Sequence, residues 1–237
     1  MKKNSKFRNL YIKRLIIRVI ILLVFIMLFF VKPNSFMITK GLNFFSSFSP
    51  LHILWLIWMI DMVLQLCNVS WYWPLGSQKY LKNRYIPNVK EIDIRLIKNN
   101  MKKINIDCIS VAITWILFVS IFDILYLTGV LSFQFIILLS IFFYVCDTIC
   151  VIYWCPFKTF FMHNKCCTTC RIFNWDHAMM FLPLIIIPGV FTYSLVIMSF
   201  IVLIIWEINC ATHPERFLEK TNVSLRCHNC TDRLCGK

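Results

Sequence analysis

The chain has 237 residues, of which 59% are hydrophobic and 16% aromatic, and its mean hydropathy is +0.71. Soluble globular domains are about 45–50% apolar, so this composition excludes an ordinary soluble protein. The formal net charge of +14 does not indicate nucleic acid, because the sequence has no separate basic domain to contact phosphates. In a membrane protein, such an excess of Lys and Arg sets the topology and attracts anionic lipid head groups at the inner face.

Five apolar stretches predict an all-α, polytopic integral membrane protein with about five transmembrane helices and the lipid bilayer as its partner. The first stretch follows six basic residues, as in a signal peptide. No small-residue cleavage site comes after it, so we expect an uncleaved span. The predicted spans form a single membrane domain, 1–206, before a cysteine-containing tail, 207–237. They are residues 15–31, 51–69, 108–127, 130–154 and 178–206.

Three connections need interpretation. Residues 75–107 are polar with some apolar residues near helical spacing, so a surface-lying amphipathic helix and a solvated connector are both open. The dipeptide at 128–129 predicts a tight turn, which makes the third and fourth spans antiparallel neighbours and puts Asp147 opposite Ser110. The fifth stretch has 29 residues and is interrupted by Pro183 and by a later Pro-Gly pair. We expect one kinked, tilted crossing there, with a re-entrant hairpin as the alternative.

The distribution of basic residues predicts that the N-terminus is inside. With five spans, the inner segments then hold 17 of the 25 Lys and Arg residues and the outer segments hold 7. The cysteine-rich loop 155–177 is expected inside and the tail 207–237 outside. We expect a multi-pass protein of the cell membrane, specifically a prokaryotic plasma membrane. On a cytoplasmic face, reducing conditions would favour free thiols or thiolate ligands over disulfides.

The end of the fourth span and the loop after it contain six of the twelve cysteines. Cys146 and Cys150 share a helix face because they are four residues apart. A proline after Cys155 ends the helix and lets that residue turn back. Cys167 and Cys170 have the C-x-x-C spacing with which one loop gives a metal two thiolates, and zinc or an iron–sulfur cluster would suit such ligands. The candidate metal ligands are Cys146, Cys150, Cys155, His163, Cys166, Cys167 and Cys170.

A second C-x-x-C pair lies in the tail, where Cys227 and Cys230 are followed by Cys235. Two such pairs could together form a four-cysteine zinc site. One membrane crossing would separate them, so we expect the tail cysteines to be a separate outer set. Only a re-entrant fifth segment would reunite the two motifs.

The segment CCTTCRIFNWDHAMMFLPL at 166–184, the later HPERF and the terminal cysteines resemble an uncharacterised family of small prokaryotic integral membrane proteins. Members of that family share a C-C-x-T-C-R-I-x-N-W-D stretch. The resemblance covers mainly the part of the chain from Trp154 to the C-terminus. It marks the loop as a site and implies no known activity.

Two functions use the cysteines directly. The first is a membrane protein whose cytoplasmic-face cluster binds zinc or an iron–sulfur cluster. The second is a thiol redox protein or metal-thiol carrier, in which Cys166 or Cys167 attacks and Cys170 resolves. Lys165 and Arg171 flank the cluster and would favour the thiolate.

Two further functions do not need the cysteines. Transport is suggested by three ionisable residues inside predicted spans, Asp61, Asp123 and Asp147. A structural or partner-binding membrane protein without catalysis is the last alternative. The sequence lacks a Gly-rich phosphate loop, a nucleophile-elbow motif and a zinc-protease motif. Whether the chain is an enzyme therefore stays open.

Overall fold

The computed structural model describes residues 6–67, 79–82, 84–88, 93–230 and 234. The described chain is helical, and four of its helices are long and apolar enough to cross a membrane. The protein is therefore a multi-pass membrane protein, as the composition predicts. The α-helices are α1 (Lys6–Val31), α2 (Pro50–Leu66), α3 (Ile94–Leu127), α4 (Phe133–Ile152), α5 (Asp176–Phe181) and α6 (Val190–Thr212).

The first and third helices are longer than the predicted spans. Helix α1 begins nine residues before the predicted start at residue 15, so most of the basic N-terminal segment is helical. Helix α3 begins at Ile94 rather than at residue 108, because Asp93 caps it by accepting a hydrogen bond from the backbone N–H of Arg95 at 2.9 Å. Its 34 residues span about 51 Å, well beyond the ~30 Å bilayer core. Residues 94–107 of the polar connector are thus an extension of the third span.

The helices pack around a core of aromatic and branched side chains. Helices α1 and α4 run antiparallel, since Arg18 of α1 contacts Asp147 of α4 while Lys40, after the end of α1, lies over the ring of Phe133. Helices α2 and α6 pack side by side. The fully buried ring of Trp58 in α2 contacts Phe181 at a centroid distance of 4.9 Å. Close van der Waals packing of such rings stabilises helix association inside a membrane.

The predicted fifth span is a hairpin rather than a single crossing. Helix α5 begins beside the end of α2, where the Gln65 amide donates to Asp176 at 3.3 Å. The chain then continues as a 3-10 helix, Leu182–Ile186, and reaches Gly41 at the other end of the bundle, where the Gly41 N–H donates to the Pro188 carbonyl at 2.9 Å. Helix α6 returns from there. The prediction of one tilted crossing over 178–206 is therefore wrong.

The hairpin is possible because its first arm is not an α-helix throughout. An α-helix rises 1.5 Å per residue, a 3-10 helix about 2.0 Å and extended chain about 3.3 Å. With these rises, residues 176–189 cover about 29 Å. Fourteen residues are too few to cross the bilayer core as an α-helix. They are enough in this segment because it mixes α-helix, 3-10 helix and extended chain.

The hairpin brings the cysteine-rich loop and the tail to the same end of the bundle. We call this the cysteine end; it comprises residues 153–175, 213–230 and the first turns of α3. Tyr80 donates a hydrogen bond to the Cys170 carbonyl at 3.2 Å, and Lys79 lies 3.4 Å from Thr168 and 3.9 Å from the sulfur of Cys230. The opposite end comprises residues 32–49, 128–132 and 187–189. The prediction that loop and tail lie on opposite sides is therefore wrong.

Candidate functional site

A cavity of about 260 Å³ lies between α3, α4, α5 and the cysteine loop. Five of the seven predicted site residues line it, and they come from the last turns of α4 and from the loop that follows. Two aspartates, five aromatic rings and two methionines complete most of the wall. The cysteines on the wall are Cys146, Cys150, Cys155, Cys167 and Cys170.

Three of these thiols meet at the sulfur of Cys155. Helix α4 ends at Ile152, so the chain turns back and buries Cys155 under the helix end with 4% of its surface exposed. The pKa of Cys155 is lowered to about 3, because the thiols of Cys150 and Cys167 donate hydrogen bonds to its sulfur and backbone N–H groups add to them. One of these is the N–H of Lys158 at 3.5 Å. Burial opposes this shift but does not outweigh it.

The C-T-T-C sequence folds into one turn that places its two outer cysteines on the cavity. Residues Cys167–Thr169 form a 3-10 helix, and the Cys170 N–H donates to the Cys167 carbonyl at 3.0 Å. The hydrogen bond that Cys167 donates to Cys155 raises the pKa of Cys167, and burial raises the pKa of Cys170 to about 11. Cys155 is therefore the thiolate of the group, and its neighbours are thiols.

The turn is held by the tail, by α6 and by the segment around Tyr80. Arg171, directly after Cys170, forms a two-point ion pair with Glu207 of α6, one bond of which measures 2.7 Å. Trp206 donates to the Arg171 carbonyl at 2.9 Å, and Trp175 donates to Glu207 at 2.7 Å. Because these contacts come from distant parts of the chain, they fix the turn against α6 independently of the cavity.

Two carboxylates that the sequence did not assign to the site also line the cavity, Asp147 and Asp176. Arg18 donates to Asp147 at 2.6 Å and to the Tyr144 carbonyl at 2.7 Å. Ser110, the predicted partner of Asp147, instead donates to the carbonyl of Ile106 in its own helix. The predicted pairing is wrong because α4 packs more closely on α1 than on α3 at this depth.

Asp176 begins α5 rather than capping it. Its Oδ1 lies 3.3 Å from Nδ1 of the buried His177, and its Oδ2 accepts the hydrogen bond from Gln65. The predicted site does not include this Asp-His pair. The signal that could have identified it is a pair of ionisable side chains at the start of an apolar segment, where burial requires partners.

The remaining predicted site residues lie elsewhere. His163 is exposed, has a φ of 48°, and does not line the cavity. Cys166 faces the hydroxyl of Thr168 at 3.2 Å. Cys108 is buried against the sulfur of Met162 at 3.9 Å. Five of the seven predicted residues thus line one cavity, and His163 and Cys166 do not.

The tail cysteines share the cysteine end but not the cavity. Cys227 is exposed and lines a smaller cavity of about 120 Å³ with Arg171, and Cys230 lies near Lys79. Cys235 lies outside the described residues. The cysteines of α4 and of the loop, Cys146, Cys150, Cys155, Cys166, Cys167 and Cys170, are free. Within the described ranges, no group of three or more Cys, His, Asp and Glu side chains is arranged to hold a metal ion.

Comparison with known proteins gives no relative for this arrangement. No family model matches the chain, and neither a curated protein nor a solved structure matches it. The resemblance to the small prokaryotic membrane proteins therefore stays a prediction. The function must be argued from the site alone.

Proposed function

We propose that this chain is a membrane thiol–disulfide exchange protein in which Cys155 is the attacking thiolate and Cys150 and Cys167 are its exchange partners. The observation that carries the proposal is the convergence of two thiols, Cys150 and Cys167, on the Cys155 sulfur at the wall of a cavity. A thiolate attacks a disulfide through a mixed-disulfide intermediate, and a second thiol within reach then resolves it. This site has both a candidate attacking thiolate and a candidate resolving thiol.

The reaction can be written from the chain's own residues. The Cys155 thiolate attacks one sulfur of a substrate disulfide, the substrate S–S bond breaks, and the first substrate thiolate leaves. Cys150 or Cys167 loses its proton and attacks the Cys155 sulfur of the mixed disulfide. The second substrate thiolate then leaves, and an intramolecular disulfide of Cys155 remains. The substrate gains two electrons and the two cysteines lose two.

Three neighbouring cysteine sulfurs could also suggest a thiolate metal site. The described residues do not offer a metal-holding group of three or more ligands, so zinc or an iron–sulfur cluster stays a prediction without structural support. Transport, which rests on the aspartates inside predicted spans, and a purely structural role also stay predictions. Exchange chemistry is favoured because it needs only what the geometry provides, namely one thiolate and a thiol in contact with it.

We further propose that the cysteine end faces the cytoplasm. The segments of the opposite end, 32–49, 128–132 and 187–189, contain only Lys32 and Lys40 of the 25 Lys and Arg residues. Since loop and tail lie at one end, the imbalance of basic residues between the two ends is larger than the sequence alone predicts. Lys and Arg are retained on the cytoplasmic side of membranes, and the basic face would contact anionic head groups.

The test uses purified full-length protein in lipid nanodiscs. The reduced protein is mixed with a small soluble disulfide, such as oxidised 2-hydroxyethyl disulfide, and the adducts are mapped by mass spectrometry. We expect a transient adduct on Cys155, followed by an internal disulfide with Cys150 or Cys167. Cys155→Ser should abolish both products, whereas Cys67→Ser, at the exposed end of α2, should leave them unchanged.

Two results would overturn the proposal. One is an adduct pattern in which Cys155 is no more reactive than Cys67. The other is a stoichiometric metal in the purified protein that is lost in both Cys155→Ser and Cys167→Ser, which would support the metal-binding alternative. Elemental analysis of the same samples measures the second outcome.

A further inference from the structure

The cavity lies at membrane depth rather than at the water-exposed surface. Phe118 of α3 and Phe143 of α4 are on its wall, and they lie nine and ten residues from the ends of their helices near the 128–132 turn. At 1.5 Å per residue they are about 14–15 Å from that turn, close to the middle of a ~30 Å core. From there the wall continues to Cys155, beyond the end of α4. The cavity therefore occupies the half of the bilayer next to the cysteine end.

The rim of the cavity carries side chains that lipid would contact. Phe118 is 41% exposed on α3, and its neighbour Ile121 is 56% exposed. On α4, Phe142 and Ile149 are 48% and 37% exposed, on either side of the partly buried Cys146. Exposed apolar side chains on spanning helices face acyl chains. A ligand that enters between α3 and α4 would therefore come from the membrane.

The wall suits a flat ring. Trp115 lies 4.9 Å from Phe143 and 5.7 Å from Phe157, as measured between ring centroids, and its indole N–H donates to the Met179 carbonyl at 2.9 Å. The Trp115 ring is thus held in place by two neighbouring rings and a hydrogen bond. The volume of about 260 Å³ is just below the roughly 300 Å³ at which pockets for whole drug-sized ligands begin. It can hold a head group whose tail stays in the lipid.

We propose that the cavity binds the ring of a lipid-soluble quinone and that Cys150 and Cys155 reduce this quinone to the quinol. The inference deepens the proposed exchange function, because it uses the same thiols and names their membrane-dissolved electron acceptor. Cys150 is the exchange partner on the spanning helix, whereas Cys167 is the partner on the loop. Electrons from a soluble dithiol would enter at Cys167 and leave at Cys150.

The redox step balances. A sulfur–sulfur bond forms between Cys150 and Cys155, the two cysteines lose two electrons, and the quinone gains them. Quinol formation also takes two protons. One comes from the Cys150 thiol, and the other comes from water, with Asp176 as the cavity carboxyl through which it passes. Cys167 then attacks the Cys155 sulfur, the Cys150–Cys155 bond breaks, and the released Cys150 sulfur takes up the Cys167 proton. A soluble dithiol reduces the resulting Cys155–Cys167 disulfide by thiol–disulfide exchange and is itself oxidised to a disulfide.

The experiment uses the reduced full-length protein in nanodiscs under anaerobic conditions. The probe is a fully substituted benzoquinone with a ten-carbon tail, because a ring without free positions cannot be alkylated by thiols. Quinol is measured by its absorbance, and the disulfide is mapped by mass spectrometry. We expect one quinol for every two thiols lost, with the loss at Cys150 and Cys155. Cys150→Ser should lower quinol formation at least tenfold, whereas Cys67→Ser should change it less than twofold.

A second variant tests the cavity itself. Cys146→Phe fills the space beside the rim without removing an exchange thiol, and we expect it to lower quinol formation at least fivefold at a fixed quinone concentration. A thermal unfolding curve shows whether each variant is folded, and a variant that is unfolded is replaced by Cys150→Ala or Met180→Phe.

The outcomes separate the two proposals. If the wild-type protein exchanges with the soluble disulfide but forms no quinol, the quinone inference is overturned and the exchange function stands. If folded Cys150→Ser and folded Cys146→Phe each form quinol as well as the wild-type protein does, the inference is also overturned. If neither reaction occurs in the wild-type protein, the exchange function itself fails.

Discussion

Arg171 of the cysteine loop and Glu207 of α6 form a two-point ion pair that closes the hairpin between them. Nη1 donates to Oε1 at 2.7 Å and Nη2 donates to Oε2, over a sequence separation of 36 residues. Burial would lower the pKa of Arg171, but the Glu207 carboxylate more than offsets it and raises that pKa. A paired guanidinium is also the form in which a buried Arg is tolerated. The pair thus ties the start of the hairpin to its end.

The first prediction concerns this topology. In sealed vesicles, a membrane-impermeant thiol reagent should label the exposed Cys227 and the partly exposed Cys166 from the same side. Ser47 is exposed at the opposite end, so Ser47→Cys should be labelled only from the other side. Mass spectrometry of vesicles labelled before and after permeabilisation measures each site. Labelling of Cys166 and Cys227 from opposite sides would restore the single-crossing topology.

The sequence predicted the helical class and most of the cavity cysteines because both depend on local patterns. Apolar runs of span length indicate helices, and Cys146, Cys150, Cys167 and Cys170 have spacings that place them together within one helix or one turn. These features need no knowledge of distant packing. The structure retains them, although α1 begins nine residues and α3 fourteen residues before the predicted spans.

The features that the sequence missed depend on partners far along the chain. The polar start of α3 is helical because Ile97 and Met101 are buried with Phe217 of the tail, which no local window contains. Asp147 pairs with Arg18, more than 120 residues away. The hairpin was only the alternative to a single kinked crossing, and the 3-10 helix at residues 182–186, which lets a short segment cover more distance, is not visible in the apolar pattern.

The second prediction concerns the close approach at the opposite end. A Cβ added to Gly189 would lie 2.0 Å from the Thr39 carbonyl oxygen, which is backbone and cannot move aside easily. We expect Gly189→Ala to destabilise the fold by about 3 kcal/mol, at the upper end of overpacking costs. Gly129 has a φ of +77° and no atom within 4 Å, so Gly129→Ala should cost only the strain of about 1–2 kcal/mol. Thermal unfolding in the same detergent compares the stabilities of the two variants. A destabilisation by Gly189→Ala that is equal to or smaller than that by Gly129→Ala would contradict the close approach.

The third prediction concerns the ion pair inside the bundle. Arg18→Ala leaves the Asp147 carboxylate without its 2.6 Å partner, so we expect a loss of about 3–5 kcal/mol in the free energy of unfolding. Lys13→Ala, at an exposed position of the same helix, should change it by less than about 0.5 kcal/mol. The double variant Arg18→Gln, Asp147→Asn should recover part of the loss, because it removes both charges together. A double variant less stable than Arg18→Ala would show that the pair is not the source of the effect.

The fourth prediction concerns the pH dependence of thiol reactivity. The hydrogen bonds from Cys150 and Cys167 lower the pKa of Cys155 to about 3, and burial raises the pKa of Cys170 to about 11. Only the thiolate reacts with alkylating agents. Between about pH 5 and pH 8, Cys155 is above its pKa throughout, so its alkylation rate should be nearly constant. Cys170 is below its pKa in this range, so its rate should rise about tenfold per pH unit.

Removal of one thiol that donates to Cys155 should change the pH dependence of the Cys155 alkylation rate in a defined direction. Cys167→Ala leaves Cys155 with one thiol donor fewer, so its pKa rises and its alkylation rate should become lower and pH-dependent at the acidic end of the range. Cys166→Ala removes a neighbouring thiol that contacts Thr168 and should leave the profile flat. Rates are measured with a small, membrane-permeant reagent such as iodoacetamide, residue by residue, by mass spectrometry. A wild-type Cys155 rate that rises tenfold per pH unit from pH 5 to 8 would show that this sulfur is an ordinary thiol and would remove the thiolate from the proposed mechanism.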